Sequence, residues 1–263
     1  WSNSIDGKLD SVIAQHQAGL LSDMSLGAHS PTLAMNNDEQ RFLLSIVLLH
    51  LKCKYDPATS DPDVDPLLRL VLLGIAGTGK SFCIRTMVDF VTMITLDPAS
   101  ADVIAPTGAA AFNCNGSTSQ RSLGFNSTSV YKKLSLAKKA ALQSKRQSTV
   151  LQCADELSMY GCGQFAMVVH RLGDLQNRGQ FANSHPCSCG MIPALAWCGD
   201  IMQMGPVLDV PLYKTIPSRS NNEETCKLIA FGQKMYELVS RTVIELTHPV
   251  RQQAGSEVAA ELF

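Results

Sequence analysis

The octapeptide Gly74-Ile75-Ala76-Gly77-Thr78-Gly79-Lys80-Ser81 constrains this chain more than any other segment. It fits the pattern G-x-x-x-x-G-K-[ST]. A short apolar run, Leu67 to Leu73, precedes it, and Ser81 to Thr95 reads as a helix. Glycines let the backbone curl so that successive N–H groups face inward as an anion nest. The helix starting near Lys80 aims its positive end at the same point. In that arrangement the backbone from Gly74 through Ile75, Ala76, Gly77, Thr78 and Gly79 cradles the phosphates of a nucleotide. The Lys80 ammonium reaches the β- and γ-phosphates, and the Ser81 hydroxyl ligates Mg2+. ATP and Mg2+ are therefore the cofactors expected.

An apolar run bounded by a turn suits a strand buried on both faces, as in a parallel sheet. Similar short runs recur at Asp102–Ala105, Val150–Ala154, Ala194–Cys198 and Thr242–Leu246, giving five expected strands. Between them lie helical stretches, among them a basic one over 130–147 carrying Lys132, Lys133, Lys138, Lys139, Lys145 and Arg146. Charge runs of that kind are usually solvated faces. Upstream, Phe42, Leu43, Ile46, Val47 and Leu49 recur at helical spacing within Asn36–Lys52, and the Pro- and Asp-rich stretch 55–66 reads as a surface loop. Strands alternating with helices predict an α/β domain with a mainly parallel sheet, whose ligands sit at the carboxyl ends of the strands. Asp155 and Glu156 follow the third strand, where a metal-holding acid at a neighbouring strand end is needed. Asp155 is the expected Mg2+ ligand and Glu156 the residue that polarises the attacking water. Residues 1–35 read as a leader or the end of a preceding domain, and 36–263 as the main domain.

Composition narrows the partners. The net charge is −1, so no global attraction draws the chain to nucleic acid. The nine cysteines are an odd number without a disulfide framework, which fits reduced thiols. His185-Pro186-Cys187-Ser188-Cys189 lacks the paired spacing of a zinc site. No apolar run approaches the ~20 residues of a membrane span, and no secretory signal is visible, so a membrane is not an expected partner.

Six segments in order resemble Pif-type DNA helicases, a superfamily-one group related to the RecD type. Asn36-Asn37-Asp38-Glu39-Gln40 resembles L-N-x-E-Q, and Gly74 to Ser81 is the phosphate motif. Ala105 to Asn113 resembles A-P-T-G-x-A-A-x-N, followed by Gly116-Ser117-Thr118 for G-x-T. Asp155-Glu156-Leu157-Ser158-Met159 resembles D-E-[IL]-S-M. Gly199 to Val207 resembles G-D-F-x-Q-L-x-P-V, and Leu246 to Gln252 resembles L-x-x-x-x-R-Q.

The resemblance implies a RecA-like motor domain in which Gln40 bonds adenine, Gln203 senses the γ-phosphate and Arg251 is an arginine finger. Thr107, Gly108, Asn113 and Thr118 would line a single-stranded DNA path. The implied activity is ATP hydrolysis coupled to translocation and unwinding of single-stranded DNA or DNA junctions. The implied setting is the nucleus or the mitochondrion, in DNA repair, recombination or telomere maintenance, with a Helitron transposon as another source. Departures include Ser119-Gln120-Arg121 where the family has His, and Gln152 in an otherwise apolar strand. Buried without a partner, that glutamine would cost ~1–3 kcal/mol. The second motor domain is expected to be absent, so the chain alone should not unwind a duplex. The other reading is an impaired remnant that binds nucleotide or DNA without turnover.

Overall fold

Along the strands, alternate residues enter two different cores. In the computed structural model, which describes residues 38–55, 67–125, 130–175, 189, 191–214, 222–240 and 242–249, β1 spans Leu68–Gly74 and β5 spans Ala194–Gly199. Leu70 and Leu72 of β1, with Ala194, Ala196 and Cys198 of β5, face one layer. Val71, Leu195 and Trp197 face the other. Both sets are buried, which is why these strands read as continuous apolar runs rather than alternating ones.

The remaining strands are β2 (Ala101–Ala105), β3 (Ser117–Thr118), β4 (Leu151–Ala154) and β6 (Thr242–Leu246). They join in the order β3-β2-β4-β5-β1-β6, and every pairing is parallel. The expected parallel α/β architecture is therefore present, with one strand more than the five foreseen. β3 is two residues long, too short to leave a periodic signal.

Parallel strands need crossovers, and helices supply them. The helices α1 (Asp38–Tyr55), α2 (Lys80–Thr95) and α3 (Gly108–Asn113) feed the first core through Leu43, Leu44, Val47, Leu51, Ile84, Met87, Ala110 and Ala111. The second core is filled from α4 (Ser119–Leu123), α6 (Cys162–Leu175) and α7 (Glu223–Val239). There Trp197 meets Tyr160 edge-on at 5.5 Å and lies against Phe165 at 4.5 Å. Among the described residues, no helix is long and apolar enough to cross a membrane.

The basic stretch needs two corrections. Its helix, α5, spans Leu136–Arg146, so it begins later than 130. Its last residue is also not on a solvated face. Arg146 is 3% exposed and bonds Asp102 at 2.5 Å, Ser122 at 3.0 Å and the side-chain oxygen of Gln152. The Gln152 amide nitrogen donates to the Asp102 carbonyl at 3.0 Å. The strand glutamine thus has its partners, and the penalty foreseen for it does not arise. Ser135 caps α5 by accepting from the Lys138 amide, which fixes where the helix starts.

Candidate phosphate-binding site

The glycine-rich turn leaves β1 and enters α2. Gly79 has φ +92°, a left-handed value that glycine adopts freely, and a Cβ there would collide with the Gln40 amide nitrogen. At Gly74 a Cβ would lie 2.5 Å from the Thr78 hydroxyl. That hydroxyl donates to the Ile75 carbonyl at 2.9 Å and holds the curl from inside. Gln40, 4% exposed, donates its amide nitrogen to the Thr78 carbonyl at 2.8 Å, so α1 is pinned to the loop. Lys80 donates to the Gly74 and Ile75 carbonyls at 2.7 and 3.0 Å, which places its ammonium over the loop mouth. Ser81 follows it in the first turn of α2 and is partly exposed.

A second tie joins α1 to the end of β6. Glu39 accepts from the Thr247 amide at 2.8 Å and from its hydroxyl at 2.5 Å, and its carboxylate lies 3.1 Å from His248 Nδ1. Partial burial opposes ionisation, but the two bonds from Thr247 and the imidazole prevail and hold the carboxyl down to about 2. Glu39 was quoted in the first motif without a role, and its effect here is to hold α1 against the strand beside β1.

The acids stand at the ends of other strands. Asp155 follows β4 and is 7% exposed, with Glu156 half-buried beside it. The sheet order corrects one expectation: β5 lies between the strand of the phosphate loop and the strand of these acids. Burial pushes the Asp155 carboxyl above its ordinary value, opposed by the Glu156 amide, which donates to it at 2.9 Å, and by the Lys80 charge. Glu156 is raised too, by burial, then by Asp155 and more weakly by Asp200, with Lys80 opposing. Its backbone takes a left-handed φ of +56°, a conformation that costs a non-glycine residue energy and is held by its surroundings.

Asp200, at the end of β5, fills the interval between the two strands. It is 6% exposed, accepts from the Met202 amide at 3.0 Å and bonds Gln203 Nε2 at 3.1 Å. Gln203 is exposed, but this bond tethers it to the acid cluster. Asp200 was part of a quoted motif with no role attached. The conjunction of a buried acid and a glutamine three residues on was the available signal.

Thr107, Gly108, Asn113 and Thr118 gather around β2 and β3. Thr107 caps α3 by accepting from the Ala110 amide, and Thr118 caps α4 by accepting from the Arg121 amide. Gly108 and Asn113 are exposed. Ser119, next to Thr118, is buried and bonds the Ala105 carbonyl at 3.1 Å and the Tyr160 hydroxyl at 2.6 Å. An apolar cleft of about 520 Å³ opens beside Thr107, between Met159, Met167, Pro206 and Ile229.

Asp209 escaped the sequence reading. Its carboxylate accepts from the Gly163 and Gln164 amides at 3.2 and 3.1 Å, capping α6 from a distant loop. Arg251 lies outside the described residues, as do residues 185–188 of the His–Cys segment. Among the described residues, no group of three or more His, Cys, Asp or Glu side chains could by itself hold a metal.

A glycine-rich loop, an acid pair two strands away and a parallel sheet between two helical layers define a P-loop nucleotide-binding domain of RecA-like architecture. The chain belongs to the PIF1-like helicase family, whose model matches residues 68–261. It is similar in fold to the Pif1 helicase from Candida albicans, with 22% identity and a TM-score of 0.52, covering 83% of this chain and 41% of that one. The Pif1 helicase from Bacteroides in complex with ADP-AlF3 and ssDNA is similar too, with 18% identity and a TM-score of 0.52, covering 82% and 42%. Unliganded Pif1 from Bacteroides sp. gives 17% identity, a TM-score of 0.52 and the same coverages. The chain therefore spans about two-fifths of the length of these structures. No curated protein matches it.

Proposed function

We propose that residues 36–263 form an ATP-hydrolysing motor domain of a DNA helicase, one that couples turnover to movement on single-stranded DNA and to unwinding. The observation that carries the reading is the meeting of Lys80, Asp155, Glu156 and Asp200 at the carboxyl ends of three parallel strands, close enough for the Lys80 charge to act on both Asp155 and Glu156 and for Asp200 to act on Glu156. A neutral chain with one such focus needs no basic average to hold a triphosphate.

In this mechanism the backbone from Gly74 to Gly79 cradles the phosphates and Lys80 neutralises charge as the γ-phosphoryl transfers. Ser81 and Asp155 would hold Mg2+. A hydroxyl and a buried carboxylate are hard oxygen donors suited to that ion. When bound, the ion spreads the charge of the β- and γ-oxygens. Glu156 orients the attacking water and draws off its proton. Gln203, held by Asp200, would sense the γ-phosphate, and Arg251 would supply the finger. Adenine would be read by Gln40, whose amide nitrogen already serves the loop. Thr107, Gly108, Asn113 and Thr118 would follow the DNA strand or junction. Repair, recombination or telomere maintenance in the nucleus or mitochondrion is the cellular role that family membership favours.

The test is ATP hydrolysis by the purified chain with and without single-stranded DNA. Mg2+-dependent turnover is expected, with a rise on adding DNA. ATP binding without turnover would replace this reading with that of a non-catalytic remnant.

Acidification supplies a second expected result. Because Asp155 and Glu156 are raised, turnover should fall along an acid limb lying above the ordinary carboxylate range of ~4. Stability should move the other way. A carboxyl raised by folding binds its proton more tightly in the folded state, so this pair adds stability to the nucleotide-free domain as pH falls through the raised values, until the loss from Glu39, which folding holds down, sets in below its ordinary value. Rates and melting curves over the same buffers check both signs. An acid limb at the ordinary carboxylate range would count against the shifted pair.

A further inference from the structure

We infer that Phe112 is a stacking platform for an unpaired nucleobase. The inference rests on the single-strand-binding reading above and adds a contact that reading does not contain. Phe112 is 84% exposed, the most exposed aromatic side chain among the described residues. A lone exposed apolar residue needs no explanation, but the setting of this one is particular.

It stands on α3, directly beyond the carboxyl end of β2, in the segment that carries Thr107, Gly108 and Asn113. The buried face of α3 is Ala110 and Ala111, and its exposed face is Gly108, Ala109, Phe112 and Asn113. A Cβ placed on Gly108 would meet nothing within 4 Å, so no packing inside the domain requires a glycine there. Long helical side chains lean toward the N-terminus of their helix, which is the side where Gly108 and Ala109 leave the approach open. The result is one flat ring beside residues that project no more than a methyl group.

The backbone beneath the ring is also tied down. The Cys114 amide donates to Ala110 at 3.2 Å, the Asn115 amide to Phe112 itself at 3.2 Å and the Gly116 amide to Ala111 at 2.8 Å. Every nucleobase has a π-face, so an exposed ring binds single strands with little sequence preference, while hydroxyl and amide groups nearby take the phosphates. Arg121, exposed on α4 beside β3, puts a cation on the same edge of the sheet. The family pattern A-P-T-G-x-A-A-x-N leaves position 112 unspecified, so the resemblance itself assigns the ring no role.

The experiment measures binding of the full chain to oligo-dT and to an abasic oligomer of equal length, which has the phosphates without the bases. Stacking is worth ~1–3 kcal/mol per base, so Phe112→Ala should weaken oligo-dT binding by about 5- to 140-fold. It should leave abasic binding and DNA-free ATP hydrolysis unchanged. Phe112→Trp should bind oligo-dT at least as well as the parent, and Phe112→Leu, apolar but not flat, should remain weak. Phe112→Ala equal to the parent on oligo-dT, an equal loss on both oligomers, or full binding by Phe112→Leu would each overturn the inference while leaving the motor reading intact. A parent chain that binds neither oligomer would remove the DNA-binding reading and this inference with it. The side chain is exposed, so no loss of folding is expected, and a melting curve checks that.

Discussion

Replacing Lys80 with alanine is expected to lower ATP turnover by about 10²- to 10³-fold, the scale of removing one preorganised charge-stabilising donor from an active site. The lysine is held over the loop by two carbonyls and acts electrostatically on both Asp155 and Glu156. The loop should survive its loss. Thr78 still bonds the Ile75 carbonyl, and Gln40 still bonds Thr78. ADP lacks the γ-phosphate, so its binding should weaken far less than turnover, and the split between the two is the informative measurement. Lys80→Arg should not restore activity, because a planar fork cannot replace a compact ammonium in so tight a turn. Turnover within threefold of the parent would mean that hydrolysis happens elsewhere or comes from a contaminant.

The largest loss of stability is expected at a residue far from that chemistry. Arg146→Leu removes the buried cation that serves Asp102 and Gln152 together. Breaking a buried pair by deleting one partner costs about 3–5 kcal/mol, because the other group stays behind without compensation. For a domain of this size that is a melting temperature lower by roughly 6–20 °C. Asp102→Ala added to Arg146→Leu should recover part of the loss, since no unpaired charge then remains. Asp102 and Gln152 sit in the first halves of β2 and β4, at the end of the sheet opposite the phosphate loop. Below its melting range, Arg146→Leu should therefore hydrolyse ATP at the parent rate. A variant that melts like the parent would show that the pair contributes nothing net.

These two residues also mark what could and could not be read in advance. The turn that seats Lys80 was legible because a glycine-rich stretch between an apolar run and a helix has one economical conformation. The strands were legible for a related reason: burial on both faces produces unbroken apolar runs. Arg146 was misread because it ends a run of exposed lysines, while the helical repeat turns that one position inward. Its partners Asp102 and Gln152 lie on two other elements, and nothing local announces them. Asp209 was missed on the same ground, since the helix it caps begins far upstream of it. The order of strands was also invisible, so the acid pair was expected beside the phosphate loop although Asp200 and β5 stand between them. Thr107 and Thr118 were picked out by resemblance, and the structure gives both an N-cap that a sequence pattern of S/T before a helix could have supplied.

The sheet order carries a consequence for the growing polypeptide. Leu68 to Gly74 lies near the start of the domain, yet both of its flanking strands come late, β5 aligning Ala194 with Leu68 and β6 aligning Thr242 with Leu70. During synthesis, therefore, the strand that presents the phosphate loop waits with two open edges until nearly all of the domain has left the ribosome. Such long-range closure is slow and leaves apolar edges exposed meanwhile. Gly74 itself is seated against the Leu246 carbonyl. The loop that appears early in the chain is thus among the last parts of the domain to acquire its walls, and nascent chains should need chaperone cover longest around the segment on which everything else depends.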